Sequence, residues 1–479
     1  MKEWAIRLRA ALLALAANPG ALVLATFMVS GMFTPGVLGA WRSVIEVNVL
    51  LPWGLALCLL RLYRAVHAGA LRRDVCTLLA LFAWMVVPFA WRFGPTATHV
   101  NTWQNFGIVF FGIYAMVTET DEALFRRQLR TTLALFAAVS AVFAGALLYC
   151  ALTAQTFFTE GEFGFGVYRQ AQLCAAQHYN ATGMLAMCGT FLCMAGAALH
   201  RRPVVRLLHA IPALMLALVV ILTQSRTARY SLLIGLGVGV YGALAARRWH
   251  PRAWVRHAAG VLAGLVVMAG GYAAANGITH AALVHYAKVS AGQSAIAVIV
   301  PSAQAEEIET PETVQPPKVA QARGAGEGTF TGRTDLWKNI FAMWKANPKH
   351  FLIGNGVGRT GRDILIGTPL EHGGANMAHN AFIQFTMDHG LIGTLLLLAF
   401  AATIFMPLLR AFMAAQGEMS GVGRIMVMLI VACLMTAMME NEPLNAMRPC
   451  NAVLFYALAC AAHIGGRKAE IEAHIQPVE

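Results

Sequence analysis

The chain repeats one feature along most of its length: apolar runs of 17 to 23 residues, close to the length a helix needs to cross a bilayer. They fall near residues 12–33, 44–60, 74–91, 102–118, 131–153, 179–199, 207–223, 230–246, 257–274, 390–409, 423–440 and 449–465. In hydrocarbon every backbone N–H and C=O must find a partner within the protein, which leaves only helices and closed barrels as spanning structures. The runs are continuously apolar rather than alternating, so they predict helices. Composition agrees. Hydrophobic residues make up 58% and charged residues 12%, with mean hydropathy +0.60. A soluble domain carries roughly twice that charge. The expectation is an all-α integral membrane protein with about 12 transmembrane helices.

The net charge of +13 would suggest nucleic acid in a soluble protein. Here the distribution of the basic residues gives a different reason. Placing the N-terminus in the cytoplasm and alternating sides puts 21 of the 36 basic residues on inner connections, including Arg61, Arg64, Arg126, Arg201 and Arg247. That is the positive-inside pattern. The first run follows Lys2, Arg7 and Arg9 and has the outline of a signal peptide. Retaining it as a helix keeps the alternation consistent to the end, with both termini cytoplasmic.

Three regions follow: residues 1–274 with spans one to nine, an outward loop at 275–389, and residues 390–479 with the last three spans and a cytoplasmic tail. Within the loop, 290–328 is rich in Ala, Gln, Glu, Pro and Gly and reads as a flexible insertion. The part at 332–389 reads as structured. GRTDLWKNIFAMWKANP at 332–348 predicts a helix capped by Thr334 or Asp335, with an apolar stripe of Leu336, Ile340, Phe341 and Trp344, ended by Pro348. FLIGNGVG at 351–358 predicts a glycine turn, and AHNAFIQFTMDHGLIG at 378–393 leads into the tenth span.

Six arginines sit in short outer connections, where topology gives them no reason to be: Arg42, Arg92, Arg169, Arg226, Arg229 and Arg448. The turn LTQSRTARYSLL at 222–233 places Arg226 and Arg229 at the outer surface beside Gln224, Ser225 and Thr227. The planar guanidinium fork suits a phosphate, and at headgroup level that means a lipid phosphate or pyrophosphate. Arg229 reads as an arginine reaching up to headgroups, Arg226 as a ligand-binding residue within a dense polar cluster. Arg333 begins the loop helix, where free N–H groups attract anions. His379, followed by Asn380, opens the last outward segment, and an imidazole there can take a proton. His372 and His389 compete with it on spacing alone. The nine cysteines form no CxxC pair, no metal-ligand pattern appears, and the membrane carboxylates Glu46, Glu440 and Glu442 are few for a proton-coupled transporter.

Three segments in order, SRT at 225–227, GRTDLW at 332–337 with LIGNGVG at 352–358, and HNAFIQFTMDHGLIG at 379–393, resemble the bacterial O-antigen ligase family, which includes O-antigen polymerases and some protein O-oligosaccharyltransferases. The twelve-span layout with one large loop between spans nine and ten resembles it too. The insertion at 290–328 is unlike the family core. The resemblance implies a GT-C-like fold with a periplasmic loop and, most like the lipopolysaccharide O-antigen ligases, transfer of a glycan from undecaprenyl pyrophosphate to the lipid A–core oligosaccharide at the outer face of the bacterial inner membrane. It implies His379 as the catalytic residue and Arg226 and Arg333 as ligands of the donor pyrophosphate, with Ser225, Asn380 and Arg169 as secondary candidates. A leaving group as good as a pyrophosphate needs charge stabilisation and a base for the acceptor hydroxyl, so neither metal nor cofactor is expected. Within the family, the same donor serves an O-antigen polymerase or a protein O-oligosaccharyltransferase. A flippase or transporter of lipid-linked sugar is disfavoured, because paired repeats and broken helices in two halves are not apparent in the sequence.

Overall fold

The computed structural model describes residues 2–32, 39–68, 72–92, 97–160, 163–168, 172–175, 179–247, 249–299, 333–357, 378–414, 419–445 and 449–475. Arg169, Arg448, the insertion from 300 onward and the loop stretch 358–377 lie outside them.

The chain is an all-α integral membrane protein. Among the described residues nine helices are long and apolar enough to span, or ten if a bent pair at the N-terminus counts as one. In that pair, Ile6–Ala16 and Pro19–Val29 meet at 78°. Pro19 has no N–H to continue the preceding helix, and the Asn18 side chain caps the new one by accepting from Gly20 N at 3.0 Å. The first apolar run is therefore divided between two short helices that meet at a bend rather than forming one straight rod. The runs expected at 74–91 and 102–118 are helical but interrupted. Arg73–Trp84 gives way to Val87–Arg92, and Ala97–Gly107 continues through a π-helical stretch, Ile108–Ala115.

Two helices form the centre of the bundle, Tyr179–Leu199 and Pro449–Ile475. Almost every residue of their apolar stretches is buried. Small residues make this possible, since nothing but close packing favours helix association in lipid. A Cβ on Gly183 would sit 2.8 Å from the Cβ of Ala228, so glycine sets how closely Tyr179–Leu199 approaches Arg226–Ala246. The periphery is apolar and exposed, as a lipid-facing surface must be: Leu262, Val266, Leu398 and Phe405 all point out of the bundle.

Two stretches depart from the sequence reading. The helix that begins at Ala253 does not stop near 274 but runs to Ile299, about 70 Å at 1.5 Å per residue, more than twice the hydrocarbon thickness. Between Glu122–Thr153 and Tyr179–Leu199, the expected outer loop is a small antiparallel sheet with β1 (Thr156–Glu160), β2 (Phe163–Tyr168) and β3 (Gln172–Cys174) in sequence order. Its last strand leads into the central helix through Ala175, whose N–H donates to Thr182 Oγ1.

The described part of the long loop folds back onto the bundle. Helix Arg333–Ala346 buries Leu336, Ile340 and Trp344 against Ala378 and Met387. Phe341, expected in that stripe, is half exposed, and Trp337 and Met343 pack there instead. Pro348 starts a second short helix, Pro348–Ile353. Helix Ala381–Met413 is broken at Gly390, where φ is 72°. The break frees carbonyls, and the glycine turn satisfies them. Asn355 N donates to Met387 O at 2.7 Å and Gly356 N to Asp388 O at 3.0 Å, while Trp84 Nε1 reaches His389 O at 2.7 Å. The two glycine motifs of the sequence are thus the two halves of one contact.

Candidate active site

Five segments distant in sequence meet at one end of the bundle, around the carboxylate of Glu440. This residue follows helix Ser420–Ala437 and is buried. Its Oε1 accepts from Arg333 Nη2 at 3.2 Å and from Asn180 Nδ2 at 3.2 Å. Its Oε2 lies 3.4 Å from His379 Nδ1. A carboxylate at the end of a membrane helix is stable only when paired and hydrogen-bonded, and this one is.

Arg333 is the first residue of its helix, as the sequence predicts. It engages through its side chain: Nη1 donates to Met439 O at 2.6 Å, beside the bond to Glu440. These bonds use two of the five N–H donors that a guanidinium carries.

His379 is fastened from both sides. The preceding residue is clamped, with Ala378 N donating to Gln384 Oε1 and Ala378 O accepting from Trp337 Nε1. The following residue, Asn380, caps the next helix by accepting from Phe382 N and Ile383 N. It also holds the Glu440 segment directly, through Asn380 N to Asn441 Oδ1 and Asn380 Nδ2 to Met438 O. Between these clamps His379 adopts φ 49°, a left-handed conformation uncommon outside glycine. Strain of this kind persists only where its surroundings enforce it, and it concentrates at functional sites. The imidazole is about 39% exposed, so it has a ligand on one side and an open face on the other.

Ser225 reaches the cluster through Asn180. Its hydroxyl is buried, donates to Asn180 Oδ1 at 2.9 Å, and caps helix Arg226–Ala246 through Ala228 N. Arg226 is the next residue, at the first turn of that helix and exposed. Arg229 turns away. Its guanidinium donates to Asn276 Oδ1, Thr279 Oγ1 and Ile221 O, tying its own helix to two others. It is a packing residue rather than one lying along headgroups.

The rival histidines separate cleanly. His389 is buried against Phe106 and Phe385, and His372 lies outside the described residues, as does Arg169. Arg333, His379, Asn380 and Ser225 thus belong to one hydrogen-bonded unit with Asn180, Glu440 and Asn441. The last three were not singled out from the sequence. Glu440 and Asn441 stand in MMENEP, a polar patch ending an apolar span, and its two carboxylates, Glu440 and Glu442, were the available clue.

An imidazole whose Nδ1 faces a carboxylate is held in the tautomer that leaves Nε2 as a proton acceptor, and the carboxylate stabilises the imidazolium once formed. Beside it stands a partly used guanidinium fork, with a second arginine one residue beyond Ser225. The arrangement is suited to taking a proton while neutralising an anion.

No curated protein sequence matches the chain. Residues 211–398 of this multi-pass membrane protein match the family model described as O-antigen ligase, and that stretch contains Ser225, Arg226, Arg333 and His379.

Proposed function

We propose that the chain moves an O-antigen glycan from undecaprenyl pyrophosphate to the lipid A–core oligosaccharide, on the periplasmic face of a bacterial inner membrane. The observation that carries this is the shared carboxylate of Glu440, which gathers His379 and Arg333 at the bundle end where Ser225 and Arg226 begin a span. The match of residues 211–398 to the O-antigen ligase family model supplies the reaction class. The basic connections support the side: Arg201, Arg202 and Arg206 follow the opposite end of helix Tyr179–Leu199, away from Glu440.

In the reaction, the acceptor hydroxyl oxygen attacks the anomeric carbon of the donor sugar. His379 Nε2 takes the hydroxyl proton, and Glu440 stabilises the resulting imidazolium. The bond from the anomeric carbon to the pyrophosphate oxygen breaks, and its electron pair leaves with undecaprenyl pyrophosphate. Arg333 and Arg226 bind that diphosphate and offset the charge as it develops. One displacement inverts the anomeric centre. The arginines supply the positive charge, so the scheme requires no metal.

The acceptor decides between ligase, polymerase and protein O-oligosaccharyltransferase. Purified full-length protein is supplied with one lipid-linked donor and, separately, with lipid A–core, free O-antigen repeat, or a Ser/Thr-rich peptide. Transfer to lipid A–core alone is the expected result. Chain extension without lipid A–core would overturn the ligase assignment and leave the donor chemistry standing.

A further inference from the structure

A cavity of about 260 Å³ opens among helices Pro19–Met32, Leu51–Ala68, Ala97–Gly107 and Pro449–Ile475, together with the π-helical turns that adjoin two of them. Its depth is apolar, walled by Leu22, Leu50, Ile108 and Ile113. Its rim is polar, with Glu46, Asn101, Gln104 and Asn105. None of these residues belongs to the Glu440 cluster.

Two features mark the cavity as built rather than left over. Both long walls are π-helical where they line it, at Glu46–Leu50 and Ile108–Ala115. Such turns are rare and widen a helix locally, often at functional sites. The first has a visible cause, since Pro52 cannot donate to the residue one turn earlier. The second feature is position. Phe106, on the same wall, touches the rings of Phe385 and His389 on the motif helix. Ala452, on the other wall, follows closely on the turn that leads out of Glu440. The cavity therefore lies at the same end of the bundle as the catalytic cluster.

The rim chemistry selects the ligand. Three carboxamides and a carboxylate offer paired donors and acceptors, which suit hydroxyl groups. Among the described residues, the cation beside this rim is Arg42, and it is bound to Glu46 at 2.9 Å, so a bare phosphate would meet a carboxylate whose partner arginine is already engaged. An apolar shaft under such a rim fits an amphiphile with a hydrocarbon chain and a sugar headgroup. We infer that this cavity binds a glycosylated lipid, chain inward and sugar at the Glu46–Gln104 rim, separately from the diphosphate held by the arginines. Its identity as the acceptor lipid rests on the transferase reading above; binding is read without turnover.

The full-length protein in phosphatidylcholine nanodiscs is photolabelled with a diazirine-bearing alkyl glucoside, and in parallel with a lysophosphatidylcholine carrying the same diazirine chain. The glucoside should label residues 46–51 and 104–113 saturably, and excess dodecyl glucoside should compete it about tenfold, near 1.4 kcal/mol. Val47→Trp, at an exposed rim position with room for the ring, should reduce labelling by a similar factor. Gln104→Leu, which leaves the volume nearly unchanged, should erase the preference for glucoside over phosphocholine. His379→Ala should label normally even when transfer is lost, separating this site from the catalytic one. Equal labelling by both probes, or labelling indifferent to Val47→Trp and Gln104→Leu, would show ordinary bilayer lipid in the cavity and overturn the inference.

Discussion

Glu440 is where the chemistry of individual residues is most exposed to test. Glu440→Gln keeps the shape and most of the hydrogen-bonding capacity, so Arg333, Asn180 and Asn380 should stay in place. It removes the charge that stabilises an imidazolium. Turnover should fall on the order of 10²-fold or more, with thermal stability little changed; an unchanged rate would remove Glu440 from the mechanism. Arg226→Lys tests a different property. A lysine keeps the charge but loses the planar fork, so donor affinity should fall about tenfold or more in a direct binding measurement, and normal affinity would mean that Arg226 only supports the turn. At this scale the sequence was informative in part. Arg333 and His379 stood out because motifs surround them. Glu440 did not, since its partners Asn180, Arg333 and His379 are 260, 107 and 61 residues away and no local spacing signals a carboxylate shared across such distances.

Elements position these residues through one unusual contact. The turn at Gly354–Gly356 lies against the break at Gly390, with backbone hydrogen bonds in place of the helix's own. A Cβ at Gly390 would fall 2.3 Å from Leu352 O, and one at Gly354 would fall 2.5 Å from Gly390 N. Both glycines also have positive φ. Gly390→Ala should therefore destabilise the protein by at least about 1–3 kcal/mol from strain alone, read as a fall in thermal midpoint in detergent. Activity should be lost with it, because the same helix begins at Ala381, two residues after His379. A stable, active Gly390→Ala would contradict the packing described. Both glycine motifs were visible as turns or helix entries, but not as partners, because backbone-to-backbone docking leaves no side-chain pattern. The small sheet at 156–174 escaped for a related reason. Its strands are three to six residues long and sit between two long apolar runs that dominate any reading of composition.

For the molecule as a whole, the apolar runs were the legible part. The helices Tyr179–Leu199, Pro203–Leu222, Arg226–Ala246, Ser420–Ala437 and Pro449–Ile475 lie where hydropathy places spans, because the bilayer imposes a length that sequence must obey. Bends, π-helical turns and the extension to Ile299 were not legible, since local backbone satisfaction rather than hydropathy sets them. Orientation follows from charge. A reporter fused after Lys468 should be active only in its cytoplasmic form, and periplasmic activity would invert the topology together with the side of the reaction. Arginines take the place of a metal in the proposed scheme, so transfer should survive EDTA; inhibition reversed by Mg²⁺ or Mn²⁺ would require a cation in the mechanism. The claim on which all of this converges is that His379, held by Glu440, takes the acceptor's proton. The most direct measurement is single-turnover transfer by purified His379→Ala, alongside its affinity for undecaprenyl-pyrophosphate-linked glycan. A rate loss on the order of 10²–10⁴ with donor affinity nearly unchanged is the predicted result, and near-normal transfer by His379→Ala would contradict it.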